Sequence, residues 1–140
     1  MLTGTSNVLA GMLYDIPISG TMAHSYILSF TNDYTLGEER KINGVDILER
    51  ALYYRDYLGV RNIFTVFLFF KWTDTNLSEL LAFLTYIIAY PNNFLALVDT
   101  YNTIQSGVKN FLIAALVLEE IGQKAKGIRL DSGDLAQLSK

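Results

Sequence analysis

Apolar runs broken by polar clusters divide this chain into short segments of alternating type. Thr5-Ser-Asn-Val-Leu-Ala-Gly-Met-Leu-Tyr14 predicts a short helix with Thr5 or Ser6 as its N-cap, leading into an apolar strand, Ile16-Pro-Ile-Ser-Gly20. The loop after that strand carries His24. From Phe30 to Asn43 the residues are polar and charged, including Gly37, Glu38, Glu39, Arg40 and Lys41, and predict a solvated excursion. Helical spacing returns between Val45 and Leu58 through Ile47, Leu48, Ala51 and Leu52. The aromatic-rich segment 63–72 has no periodicity that separates strand from interface. Asn76 and Glu79 then make an N-cap and capping-box pair ahead of a helix over Leu80–Tyr90, which Pro91 closes. Phe94-Leu-Ala-Leu-Val-Asp99 reads as an apolar strand ending in a carboxylate. In the helix expected over Gly107–Gly122, Phe111, Leu112, Ala115, Leu118 and Ile121 recur at helical spacing and Gly122 is the stop. No internal repeat or low-complexity tract interrupts the series.

The last part of the pattern carries the chemistry. Gly127-Ile-Arg-Leu-Asp-Ser-Gly-Asp134 crowds an arginine, carboxylates and a turn-forming Ser-Gly at the end of an apolar strand, where open α/β sheets and barrels handle ligands. Strand, helix, strand over 94–131 is a βαβ unit. Such crossovers join parallel strands with one handedness, so Asp99 and Arg129/Asp131 should emerge at the same C-terminal edge. They can then meet one ligand.

Composition narrows the class. Of the 140 residues, 51% are hydrophobic and the mean hydropathy is +0.25, high for a free-standing soluble domain. The run Ile63–Phe70, bounded by Arg61 and Lys71, is too short to span a bilayer as a helix, which needs about 20 residues. The composition therefore fits the central slab of a larger α/β protein, whose strands are covered on both faces. The opening Met1-Leu-Thr-Gly4 lacks a signal-peptide pattern, and a cytoplasmic location is expected. With no cysteine, disulfides and thiolate chemistry are excluded. A net charge of −3 without a basic stripe argues against nucleic acid as a partner, and no membrane partner is expected either.

Four motifs stand in order: Gly4-Thr-Ser-Asn-Val-Leu-Ala-Gly11, Gly20-Thr-Met-Ala-His-Ser25, Tyr90-Pro-Asn-Asn-Phe-Leu-Ala-Leu-Val-Asp-Thr-Tyr101 and Gly127–Asp134. Together they resemble the consecutive central motifs of the nicotinate phosphoribosyltransferases, covering nearly the whole chain apart from about 31–77. The resemblance implies part of an irregular β/α barrel of the type II phosphoribosyltransferase kind, incomplete at both ends, with residues 1–140 as its central portion. It implies a homodimer that joins nicotinate to 5-phosphoribosyl 1-diphosphate in NAD salvage, giving nicotinate mononucleotide and pyrophosphate, with ATP as co-substrate and Mg2+ required. The family is longer at both ends, so Met1 is expected to mark a truncation and the fragment alone to be inactive. The alternatives are a nicotinamide-specific relative and a non-catalytic remnant.

Site roles follow from the same resemblance. His24 matches the family's phosphorylated histidine, a role suited to an imidazole whose neutral nitrogen can attack phosphorus. Asp99 is expected to orient that ring. Arg129 and Asp131 would bind the ribosyl diphosphate, with Ser132 and Gly133 offering turn amides to an anion. Ser25 belongs to the histidine motif and is assigned to substrate. Ser6 falls where nicotinamide-using relatives place an aspartate, and Ala23 where they carry an acid; both favour nicotinate. Asn102 follows Tyr101 where an acid is common. Asp134 is a helix cap or a further ligand, and Thr100-Tyr101 would shape the pocket. Glu38-Glu39 and Glu119-Glu120 read as solvated faces, and Tyr53, Tyr54 and Tyr57 as packing residues. The resemblance does not fix which residues would hold the metal.

Overall fold

The computed structural model describes residues 4–31, 36–61 and 72–138. Of the aromatic-rich segment 63–72, residues 63–71 lie outside the described residues.

The expected βαβ unit forms. Strand β3 (Leu95–Leu97) pairs in parallel with β4 (Gly127–Arg129), in the register Leu95 to Gly127 and Leu97 to Arg129. Between them run a π-helical turn (Thr103–Gly107) and helix α5 (Val108–Glu120). The crossover packs tightly. A Cβ on Gly107 would stand 1.9 Å from the Val98 carbonyl oxygen, so only glycine lets the helix start approach the strand end so closely. Gly122 ends the helix as expected, with φ +80 and its amide donating to the Glu119 carbonyl.

Helix α4 (Leu77–Ala89) lies at the centre, and Leu80–Leu84 and Ile87 are all buried. A helix apolar on nearly every side has to be covered on nearly every side. It packs against α5, against helix α2 (His24–Leu28) and against helix α3 (Ile47–Arg61). Phe83 and Phe94 meet edge to face, 5.9 Å between centroids.

Several sequence expectations shift. Helix α1 is Val8–Tyr14, and its N-cap is Asn7, whose side chain accepts from the Ala10 amide, rather than Thr5 or Ser6. Ile16–Gly20 makes no full strand: Ile18 forms a lone parallel bridge with Thr5, and Pro17, lacking an amide proton, limits the ladder. His24 begins α2 instead of lying in a loop. The polar stretch before Val45 contains a hairpin, β1 (Lys41–Ile42) against β2 (Val45–Asp46), so α3 starts at Ile47. Asn43 (φ 52) and Gly44 (φ 81) form its turn, the Asn-Gly signal of a tight hairpin. Of the stripe expected on α5, Leu118 and Ile121 are buried, Phe111 and Ala115 half-buried and Leu112 exposed, and the buried face is completed by Asn110, Ile113, Ala114 and Val117. Both stripes have helical period; the helix is too apolar for periodicity to choose between them.

Glu120 is not simply solvated. The Arg50 guanidinium forks onto its two oxygens (Nε to Oε2 2.7 Å, Nη2 to Oε1 2.5 Å), and the Tyr54 hydroxyl donates to Oε1. This clamp joins α3 to α5. Tyr53 and Tyr57 stack on each other at the surface, with centroids 5.7 Å apart.

Candidate active site

Asp99 follows β3 and has 3% of its side chain exposed. A buried carboxylate needs partners on both oxygens, and these have them. Oδ1 accepts from His24 Nε2 at 3.1 Å. Oδ2 accepts from the Asp131 amide at 2.7 Å and the Ser132 hydroxyl at 2.8 Å. Burial pushes the carboxyl up, but hydrogen bonds from the Ser132 hydroxyl, the Asp131 amide, His24 and the Ser132 amide together outweigh it and hold it below the usual range. Asp99 is thus the acceptor at the centre of the site, ionised at neutral pH.

His24 is held by the packing of α2. Five residues are too few for a helix to persist alone. Tertiary contacts supply the rest: Met22, Ile27 and Phe30 are buried, and the Tyr26 hydroxyl donates to the Ala82 carbonyl of α4 at 3.1 Å. The imidazole stands at the first residue of the helix with one nitrogen on Asp99 and 37% of its side chain exposed. Because an ionised carboxylate only accepts, Nε2 carries the proton, and in the neutral ring Nδ1 presents the lone pair.

Arg129 ends β4. Its Nη1 donates to Thr21 Oγ1, and Nη2 lies 3.6 Å from Asp131 Oδ2. Its Nε is buried without a hydrogen-bond partner among the described residues. The strand ends therefore bring His24, Asp99, Arg129, Asp131 and Ser132 together. Gly133 has φ +77, the left-handed conformation that turns the chain away from the strand end. The Ser132 hydroxyl and two turn amides face Asp99, so these donors serve the carboxylate before any anion. Asp134 accepts from the Gln137 amide at 3.1 Å and caps helix α6 (Leu135–Leu138).

Ser6 is exposed and lies beside Gly20, at 3.7 Å from where a Cβ there would stand, in the segment leading to His24. Ser25 is exposed on α2 next to His24. Neither hydroxyl meets the Asp99 cluster. A cavity of about 650 Å³ opens at the N-terminal ends of β3 and β4, between Ile18, Gly20, Tyr86, Tyr90 and Lys126, so it does not contain the His24–Asp99 pair.

Two further sets of residues join the site and its surroundings only through the fold. Thr21, inside the histidine motif, accepts from Arg129. Glu79 stands at the capping-box position, yet only half of that motif forms: the Asn76 side chain accepts from the Glu79 amide at 3.0 Å. The Glu79 carboxylate turns inward to the Ser106 hydroxyl (2.6 Å) and the Asn110 amide (3.0 Å), while the Asn76 amide donates to Ser106 Oγ. Glu79 is fully buried, and that burial raises its carboxyl to about 7 against the two hydrogen bonds that lower it. The signal for such a network is a polar residue inside an apolar helical stripe, as at Asn110.

Comparison with known proteins gives a consistent picture. No family model matches the chain. It is 48% identical over 141 residues to the nicotinate phosphoribosyltransferase of Dictyostelium discoideum, covering 98% of this chain and 22% of that protein. Identity is 43% over 140 residues to the Caenorhabditis elegans enzyme of the same name, covering 97% and 24%. The crystal structure of human nicotinic acid phosphoribosyltransferase superposes with a TM-score of 0.78 at 37% identity, over 97% of this chain and 27% of that one. The chain spans about a quarter of the length of these relatives.

Proposed function

Since the relatives of this chain over nearly its whole length are nicotinate phosphoribosyltransferases, we propose that it supplies part of the active site of such an enzyme, as one portion of a longer polypeptide. The reaction joins nicotinate to 5-phosphoribosyl 1-diphosphate, releasing pyrophosphate and forming nicotinate mononucleotide for NAD synthesis. In this reading β3 and β4 are two neighbouring staves of a β/α barrel, the enzyme is a dimer in the cytoplasm, and ATP is a co-substrate. Among the described residues no helix is long and apolar enough to cross a membrane.

The observation that carries the proposal is the contact from His24 Nε2 to Asp99 Oδ1. With Nε2–H donated to the carboxylate, Nδ1 attacks the γ-phosphorus of ATP; the N–P bond forms as the bond to the departing ADP oxygen breaks. Asp99 stabilises the positive charge that grows on the ring, as a buried carboxylate does for other catalytic imidazoles. The phosphoramidate is labile and is discharged to water. Arg129 offers a planar fork to the diphosphate or a phosphate of the ribosyl substrate, and Asp131 accepts from ribose hydroxyls. Ser6, beside the chain leading to His24, adds no negative charge near the carboxylate of nicotinate.

Magnesium, which the family resemblance implies, finds no group of three or more His, Asp or Glu side chains able to hold it among the described residues.

The test uses the full-length polypeptide with nicotinate, 5-phosphoribosyl 1-diphosphate and ATP. Nicotinate mononucleotide, pyrophosphate and ADP are expected together. His24→Ala should abolish ATP hydrolysis and phosphohistidine while leaving slow ATP-independent transfer. Failure of the unmodified protein to consume nicotinate would overturn the function, and full ATP coupling in the variant would overturn the role of His24.

A further inference from the structure

Arg129 is the cation of the site, and a guanidinium discriminates by direction: its donors lie in one plane, and a small rotation misaims a two-point contact. What fixes that plane here is not its acidic neighbour. Asp131 Oδ2 is 3.6 Å from Nη2, too long for a strong hydrogen bond, and Asp131 is itself exposed. The contact within hydrogen-bonding range is to Thr21 Oγ1, reached from Nη1 across 108 residues of sequence. Nε, buried and without a partner among the described residues, cannot take over the anchoring. Among the described residues the Thr21 hydroxyl also donates over a long contact, 3.5 Å to the Met22 carbonyl, which uses its proton and leaves its lone pairs to accept from the guanidinium.

Thr21 also stands three residues before His24. The segment Thr21–His24 is therefore tied to the β3–β4 edge twice, by Thr21 to Arg129 and by His24 to Asp99. Asp99 in turn holds the turn that follows Arg129, through the Asp131 amide and Ser132 hydroxyl. The two ties bracket the strand end where the ribosyl substrate would sit.

We propose that Thr21 is a positioning residue for ribosyl diphosphate binding, holding the Arg129 guanidinium so that its outer edge meets the substrate anion. The proposal rests on the phosphoribosyl-transfer reading above. A hydroxyl is required rather than bulk, because valine reproduces the shape of threonine and offers no acceptor.

The experiment compares Thr21→Val and Thr21→Ser in the full-length polypeptide by steady-state kinetics with 5-phosphoribosyl 1-diphosphate varied, and by phosphohistidine yield from ATP without the ribosyl substrate. Loss of one orienting hydrogen bond should raise KM for the ribosyl substrate about tenfold in the valine variant. The serine variant should return to within about twofold of the unmodified protein, since it keeps the oxygen. Phosphohistidine yield should stay at the unmodified level in both. An unchanged KM in Thr21→Val, equal impairment of both variants, or a parallel loss of phosphohistidine would overturn the proposal, the last by showing a general role in the loop. If the unmodified protein forms phosphohistidine yet never uses the ribosyl substrate, the transfer reading falls and this proposal with it; an active unmodified protein matched by its valine variant overturns this proposal alone.

Discussion

Asp99 shows how one side chain can set the proton inventory of a site. It takes one donor on Oδ1 from His24 and two on Oδ2 from Asp131 and Ser132. Asp99→Asn keeps the size but replaces one acceptor by a donor. Two donors on the turn side outweigh one, so the amide oxygen should face Asp131 and Ser132 and the amide nitrogen should face His24. Nε2 would then have to accept, and the proton would move to Nδ1. Phosphohistidine formation in the full-length polypeptide is therefore expected to fall by as much as about 10⁴-fold, the loss seen when the carboxylate beside the histidine of a serine-protease triad becomes an amide. Label transfer from γ-labelled ATP measures it, and an unchanged rate would mean that Asp99 does not set the tautomer. The native carboxyl is held below the usual range, so its contribution to stability is complete at neutral pH and disappears only as pH falls through that depressed value. The motifs in the sequence named both residues. They could not say which nitrogen faces which oxygen.

The junction of α4 with the turn before α5 rests on Glu79. Its carboxyl, raised to about 7 by burial, is neutral in the fold at pH values where an exposed glutamate, at 4.5, is ionised. The folded state therefore binds a proton that the unfolded state has released, so stability falls as pH rises from about 4.5 to about 7 and levels off beyond. The full change is about 3 kcal/mol at ~1.4 kcal/mol per pH unit. Glu79→Gln removes the titration while keeping an oxygen for Ser106 and Asn110. Urea unfolding at pH 5 and pH 8 is expected to show a clear loss of stability with pH in the native protein and a smaller one in the variant. Equal slopes would mean that Glu79 ionises in the fold as it does in water. Sequence alone marked Asn76 and Glu79 as a helix start, and they are. The inward turn of the carboxylate was hidden because Ser106 and Asn110 lie 27 and 31 residues away and meet it only through the crossover.

As a whole, the chain leaves apolar surface uncovered. Helix α1 buries only Gly11, while Val8, Leu9, Met12, Leu13 and Tyr14 are exposed, Met12 to 75%. The parallel sheet of described residues has only two strands, so each of β3 and β4 has an unpaired edge. Contiguous apolar surface and open strand edges both favour association. The isolated 140-residue chain is expected to self-associate and to make no nicotinate mononucleotide, as light scattering and a product assay would show. A monodisperse, active preparation would count against its being one portion of a larger active unit. The sequence by itself determined the βαβ unit, the stop at Gly122 and the shared C-terminal edge of Asp99 and Arg129/Asp131, because local periodicity, turn residues and the fixed hand of the crossover suffice for these. It did not determine the rest of the buried face of α5 beyond Leu118 and Ile121, the short bridge where a strand was expected, or the hydrogen bonds from Arg129 to Thr21 and from the turn to Asp99. Those depend on which apolar surface is covered and on which distant oxygen the packed chain places within reach, and only the tertiary structure decides that.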